Sequence, residues 1–165
     1  MKATLHELRF DGCILRRGFW LYVWEIKTLQ GPALYYIGRT GDSSSTNAQS
    51  PFNRMGQHLG FAKNSNMLRR HLNKYGIKPE GCIFRLIALG PIEAESDAAT
   101  RLEHDERRDV VAALEKALAD ALRTAGYGVM NTVQCRKPLD VQLFAEIRAS
   151  FATCFPGLRK RKTVS

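Results

Sequence analysis

Apolar and polar positions fall into blocks whose period changes along the chain. Phe19 to Lys27, FWLYVWEIK, is aromatic and β-branched and predicts a strand. Gly31-Pro32 interrupts it, and Ala33 to Gly38, ALYYIG, predicts a second strand returning as an antiparallel hairpin. Pro51 suits the first turn of a short helix running to about Gly60. Asn66 is placed to cap a second helix, MLRRHLNKY, which Gly76 ends. After a turn at Pro79 to Gly81, CIFRLIAL predicts a third, buried strand. Ser96 is placed to cap helical material reaching Gly126, and Asp140 to Phe151 predicts a terminal helix. The expected architecture is α+β: a small, mainly antiparallel three-stranded sheet flanked by helices, in one domain over 1–165.

Within the long helical stretch, Val111, Leu114, Leu118 and Leu122 recur at helical spacing and define a core-facing stripe. Arg108, Ala119, Asp120 and Arg123 are expected on the opposite side. Glu115 borders the stripe, where a carboxylate can be held rigidly while its oxygens reach a cleft.

Composition adds a direction. The 165 residues are 44% hydrophobic and 25% charged, ordinary for a folded globular chain and poor for wholesale disorder. No run is long and apolar enough to span a bilayer, and MKATLHELRFDG lacks a signal-peptide core, so a cytoplasmic protein is expected. The net charge of +9 favours polyanionic partners, nucleic acid first among them. Cys13, Cys82, Cys135 and Cys154 form no CxxC pair and have no histidine at zinc-finger spacing. Reduced, mostly buried thiols are therefore expected, without zinc. Two segments read as solvated: TGDSSSTNAQS over 40–50, and the C-terminal LRKRKTVS with Arg159, Lys160, Arg161 and Lys162. Glu103, Asp105 and Glu106 around His104 read as an ion-paired helix surface rather than a second metal site.

The hairpin makes the chain specific. It carries Tyr22 in GFWLYVW and Tyr36 in YYIGRT, which can share one sheet face. Arg54 and His58 follow four residues apart in PFNRMGQHLG, on one helix face; Glu115 and then Asn131, in GVMNT, come later. In this order the set resembles the GIY-YIG nuclease superfamily over about 18–131, leaving a C-terminal helix and basic tail over 139–165. The second half motif, Tyr36-Ile37-Gly38, is intact with Arg39 directly after it, whereas Trp20-Leu21-Tyr22 stands where the family has Gly-Ile-Tyr. The Arg-x-x-x-His pair is similar to that of the restriction and homing enzymes of the superfamily.

The resemblance implies a Mg²⁺- or Mn²⁺-dependent endonuclease that hydrolyses DNA, expected to be double-stranded, to 5′-phosphate and 3′-hydroxyl ends. It implies Glu115 as the metal ligand, Arg54 on the phosphate, Tyr36 orienting water or phosphate, and Tyr22 as general base. An ordinary phenol, with a pKa near ~10, is a poor base at neutral pH, so His58 either takes its proton or is itself the base. Gly38 and Asn131 are expected to support the site. Arg39, Arg69, Arg70, Lys74 and the four basic tail residues are expected to contact nucleic acid. One such domain holds one site, so double-strand cutting needs a homodimer or two successive nicks. Taken singly, each residue has a plainer reading: packed tyrosines, a solvated Arg/His pair, a surface glutamate and a turn asparagine. A noncatalytic nucleic-acid-binding module of the same fold is the competing reading. An interaction protein with incidental basicity is the third.

Overall fold

The computed structural model describes residues 3–29, 31–42, 48–63, 66–94 and 100–159. Among the described residues there are four strands: β1 (Gly18–Lys27), β2 (Leu34–Arg39), β3 (Ile83–Ala94) and β4 (Gly128–Val129). Four helices accompany them: α1 (Pro51–Leu59), α2 (Met67–Lys74), α3 (Arg101–Thr124) and α4 (Val141–Phe151). The sheet order is β3-β1-β2-β4, with β1 antiparallel to both neighbours and β4 parallel to β2. The class is α+β as expected, but the sheet is four-stranded and mixed. The additional strand is two residues long, too short to leave a period in the sequence.

The pleat of β1 sends alternate side chains to opposite faces. Phe19, Leu21 and Val23, with Ile37 of β2, meet Val111, Leu114, Leu118 and Leu122 of α3 and Phe151 and Phe155 around the end of α4. The α3 stripe is fully buried as expected. Ala119 is buried with it rather than lying on the opposite side, because three residues before Leu122 it stands on the same flank of the helix. On the other face, Tyr22, Trp24 and Ile26 of β1 and Tyr36 of β2 pack against Leu68 and Leu72 of α2. The two tyrosines share a face because Tyr36 pairs with Trp24 and Gly38 pairs with Tyr22.

Local signals explain most boundaries. Ser50 caps α1, its hydroxyl accepting from the Asn53 N–H, and Pro51 occupies the first turn. Asn66 holds the cap position of α2 without a capping side-chain bond, and Gly76, at φ +70°, turns the chain away after Tyr75. α3 begins from Thr100 in a reciprocal capping box with Glu103; Ser96, the expected cap, lies outside the described residues.

β3 runs to Ala94, through Pro91, where an edge strand tolerates a missing N–H. It is half-buried rather than buried, with Ile83 and Arg85 exposed, because β3 has a strand on one side only. The loop over 40–50 is also less solvated than its composition suggests: Thr40, Gly41, Ala48 and Ser50 are buried, while 43–47 lie outside the described residues. Thr40 accounts for part of this, its hydroxyl accepting from Trp20 N–H at 2.8 Å and donating to the Gly18 carbonyl at 2.5 Å. All four cysteines are free, Cys13 exposed and the others half-buried, so none is a core thiol. No helix among the described residues is long and apolar enough to cross a membrane.

Candidate active site

The candidate residues come from four elements and meet beside the outer half of β2. β4 pairs only with Leu34 and Tyr35, and the Met130 N–H continues the ladder to the Tyr35 carbonyl at 2.8 Å. Asn131 then replaces a strand partner. Its amide accepts from the Ile37 N–H at 3.0 Å and donates to the Ile37 carbonyl at 2.8 Å. The peptide groups between Tyr36 and Gly38 are thereby fixed without a strand. Arg123 of α3 donates to the Asn131 carbonyl and ties this clamp to the helix.

Gly38 serves Tyr22. A β-carbon at that position would stand 2.5–2.6 Å from the Tyr22 ring and hydroxyl, so the phenol lies directly on the β2 backbone. The Tyr22 hydroxyl is hydrogen-bonded to His58 Nε2 at 2.6 Å and lies in the field of the Arg54 charge. Helical spacing gives α1 both contacts: Arg54 and His58 are one turn apart and face the same phenol. Tyr36 stands beside them, its ring centroid 5.3 Å from that of His58 and 5.6 Å from that of His71 on α2.

Glu115 arrives from α3, on the other side of the sheet. Its Oε2 accepts from Arg39 Nη1 at 2.8 Å, with both side chains under one-fifth exposed. Its charge is felt by Tyr36, and the charges of Asp42 and Arg54 are felt by Glu115, so one electrostatic site spans the β2 edge. Asp42 pairs with Arg54 Nη2 at 2.7 Å, and Gln57 accepts from Arg54 Nη1 at 3.0 Å. Asp42 escaped the sequence reading because one carboxylate in a polar loop carries no spacing signal. His71, which had no visible partner in sequence, lies against Tyr36 for the same reason: α2 and β2 meet only in the fold.

Burial dominates the protonation of the group. It pushes the Tyr22 phenol well above its ordinary range, an effect that the Arg54 charge reduces. Tyr36 is raised by burial and then by Glu115. His58 falls to about 3 through burial and the adjacent Arg54 charge, so its imidazole is neutral at physiological pH. Glu115 rises to about 7; burial drives it, Arg39 opposes it, Asp42 adds to it and Arg54 opposes it.

With His58 neutral, the Tyr22 hydroxyl and Nε2 share one proton along this bond, its direction set by the imidazole tautomer. His58 Nδ1, Arg54 Nε and Arg39 Nε are buried without hydrogen-bond partners among the described residues. That leaves two guanidinium edges and one imidazole edge uncompensated, an arrangement that suits an anionic ligand.

Glu115 gives a carboxylate of which Arg39 engages Oε2, in the field of a second carboxylate, Asp42. Among the described residues no three His, Cys, Asp or Glu side chains cluster as a metal cage. These residues fit a hard oxygen-seeking ion held by one carboxylate and otherwise by water.

The expected nucleic-acid contacts divide. Arg39 is committed to Glu115 rather than presented outward. Arg69 is also committed: it donates to the Leu59 carbonyl and Glu80 and stacks over Phe61, joining α2 to the end of α1. Arg70, Lys74 and Arg159 are exposed, whereas Lys160, Arg161 and Lys162 lie outside the described residues. Asp105 pairs with Arg101 and Arg108, while His104 turns inward against Phe19. Compared with known proteins, the chain matches no family model, no curated protein and no solved structure.

Proposed function

We propose that the protein is a metal-dependent endonuclease that hydrolyses DNA phosphodiester bonds, as its resemblance to the GIY-YIG nucleases implies. The observation that carries this reading is the buried Tyr22–His58 hydrogen bond of 2.6 Å, in the field of Arg54 and with Tyr36 against the same imidazole. Phosphodiester hydrolysis needs a proton acceptor for water, a cation on the phosphate, and compensation of growing negative charge. Arg54 supplies the phosphate cation, exchanging Asp42 for a phosphate oxygen while its unpartnered Nε adds a second donor. Tyr22 takes a proton from water as it passes its own to His58, a relay already aligned in the Tyr22–His58 bond. Tyr36, fixed by the Asn131 clamp on the next residue, orients the water or phosphate. Glu115 would hold Mg²⁺ or Mn²⁺, which supplies charge neutralisation at the phosphate and departing oxygen.

The competing module reading draws on one observation, the Arg39–Glu115 pair, which occupies the metal-ligand carboxylate. Supercoiled plasmid with Mg²⁺ or Mn²⁺ separates the two. Nicking by the wild type that Glu115→Ala and Tyr22→Phe abolish supports the nuclease. Salt-sensitive DNA binding without nicking under either metal assigns the module. Absent or salt-independent binding removes both.

A further inference from the structure

α2 packs on the site face through Leu68 and Leu72, which are fully buried with Tyr22 and Tyr36. His71, one position before Leu72, borders that stripe with its ring centroid 5.6 Å from that of Tyr36. The Tyr36 ring also lies 5.3 Å from that of His58, so one phenol stands against two imidazoles. They differ in what they are free to do. His58 is buried and bonded to Tyr22, whereas His71 is only half-buried and its side chain makes no hydrogen bond to a described residue.

The surroundings of His71 lack a negative charge. α2, MLRRHLNK, holds Arg69, Arg70, His71 and Lys74 and no carboxylate. Arg69 is turned to the Leu59 carbonyl and to Glu80, which neutralises it. Arg70 and Lys74 are exposed and form no ion pair with a described residue. Arg70 and Lys74 stand at i,i+4, and His71 and Lys74 at i,i+3, spacings at which like charges repel. From β2 the imidazole faces Tyr36, a phenol that burial keeps protonated, and from α1 the neutral His58 meets that same phenol. Burial, then Lys74 and then Arg70 hold the His71 imidazole below its ordinary range. An anion seated there removes the repulsion and makes the imidazolium the favoured form.

We infer that His71 is a phosphate-binding residue of the site: its protonated imidazole donates to a phosphate oxygen of the bound DNA beside Tyr36, so that DNA binding takes up a proton. This deepens the nuclease reading and rests on it. Arg70 and Lys74 follow the same strand along the exposed side of α2, and the charge-assisted bond at His71 fixes where that strand passes Tyr36. No proton of the hydrolysis passes through His71. It is a positioning residue whose charge appears with the substrate.

The chain has four histidines, few enough for each imidazole to be followed by NMR. The experiment uses Glu115→Gln protein without divalent metal, so that nothing is cut and the carboxyl raised to about 7 no longer titrates. A short DNA duplex is bound at fixed salt at about pH 6 and about pH 7.5, on either side of an ordinary imidazole. His71→Gln identifies the His71 resonance. The duplex is expected to move the His71 titration upward and to bind about fivefold more tightly at the lower pH. In the same background, His71→Gln should weaken binding about tenfold at the lower pH and remove the pH dependence. His71→Arg, a permanent cation, should keep the low-pH affinity at both pH values. Any part played by His6 is common to all three proteins.

A His71 imidazole that titrates identically with and without DNA would overturn the phosphate contact. So would a pH dependence that survives His71→Gln, or no binding at all. Equal loss of affinity in His71→Gln and His71→Arg would mean that the imidazole only packs on Tyr36. Plasmid nicking by the unsubstituted protein is read separately. A DNA-dependent His71 shift without nicking sinks the nuclease reading and leaves the contact standing, while nicking with an unmoved His71 sinks the contact alone.

Discussion

The two faces of the sheet are built from the same strands and differ in what they bury. The face under α3 and α4 buries mainly Leu, Val, Ile and Phe side chains, with one imidazole, His104, set against Phe19. The face under α1 and α2 buries phenols, an imidazole, an indole and a guanidinium, several with an unpartnered nitrogen. The first arrangement lowers the free energy of the fold. The second holds desolvated polar groups in place, a recognised mark of sites kept for binding and chemistry. The alternation of β1 creates the division, since each successive residue serves the opposite purpose. Glu115 crosses it, carried by the helix of the apolar face to the open edge of β2.

The largest expected effect tests the apolar face. Leu118 is fully buried against β1 and β2, so Leu118→Ala should cost roughly 2–5 kcal/mol in chemical denaturation. Any remaining folded protein should keep its nicking rate. Arg54→Ala should behave in the opposite way, with nicking falling about 10²–10³-fold, the scale of removing one charge-stabilising donor. Its denaturation midpoint should barely move, because the lost partners are the half-exposed Asp42 and Gln57. Equal stability losses in the two variants would break the division.

Protons give a subtler test. Glu115 is raised from an ordinary 4.5 to about 7, so the folded state binds its proton more tightly than the unfolded chain. Its contribution to stability is full below pH 4.5 and is lost as pH rises through 7, worth roughly 3 kcal/mol. His58 is lowered from 6.5 to about 3, so its contribution is present above pH 6.5 and is lost as pH falls toward 3. The opposing slopes overlap between pH 4.5 and 6.5 and should partly cancel in the wild type. Glu115→Gln should reveal stability rising with pH through 3–6.5, and His58→Gln should reveal stability falling through 4.5–7, both read from denaturation series. Identical pH profiles in the two variants would show that these groups are not buried together.

The apolar face and the site differ in how far they could be read from sequence. The Val111–Leu122 stripe and the FWLYVWEIK strand announce themselves through period, because burial of one face demands it. Ala119 stands beside Leu122 on the helix rather than opposite it, and a small residue at the border of a stripe gives no signal of the side it takes. Tyr22, Tyr36, Arg54, His58 and Glu115 were legible as an ordered set, and their meeting depended on a hairpin and a capped helix that local signals announce. What they bond to was not legible. Arg39 and Glu115 are 76 residues apart, and nothing in either neighbourhood marks them as partners. The Asn131 clamp stands 94 residues from Ile37, and a turn asparagine looks the same in sequence whether or not it replaces a strand. Asp42 has no periodic context at all.

Asn131 joins the two faces and should show an intermediate effect. Asn131→Ala leaves both peptide groups of the buried Ile37 without their partner, which should cost about 2 kcal/mol. Since Tyr36 and Gly38 adjoin that residue, nicking by the folded fraction should also fall, by about tenfold. Loss of stability alone, with the folded fraction fully active, would mean that the clamp serves the sheet and not the site.

The smallest expected effect compares two helix caps. Ser50 caps α1 and Thr100 caps α3, and replacing either by Ala typically costs about 1 kcal/mol. The stability losses should therefore be alike, while their consequences for nicking should not. Arg54 and His58 lie within the first two turns of α1, so fraying at Ser50→Ala shifts the groups set against Tyr22 and should lower nicking about tenfold. Glu115 lies about 22 Å along α3 from Thr100, beyond the reach of a frayed first turn. Thr100→Ala should leave nicking by the folded protein within about twofold of wild type, since its cap supports the face that folds the chain. Matched losses of both stability and nicking in the two variants would mean that α1 is no closer to the chemistry than α3, and the contrast between the faces would then reduce to packing.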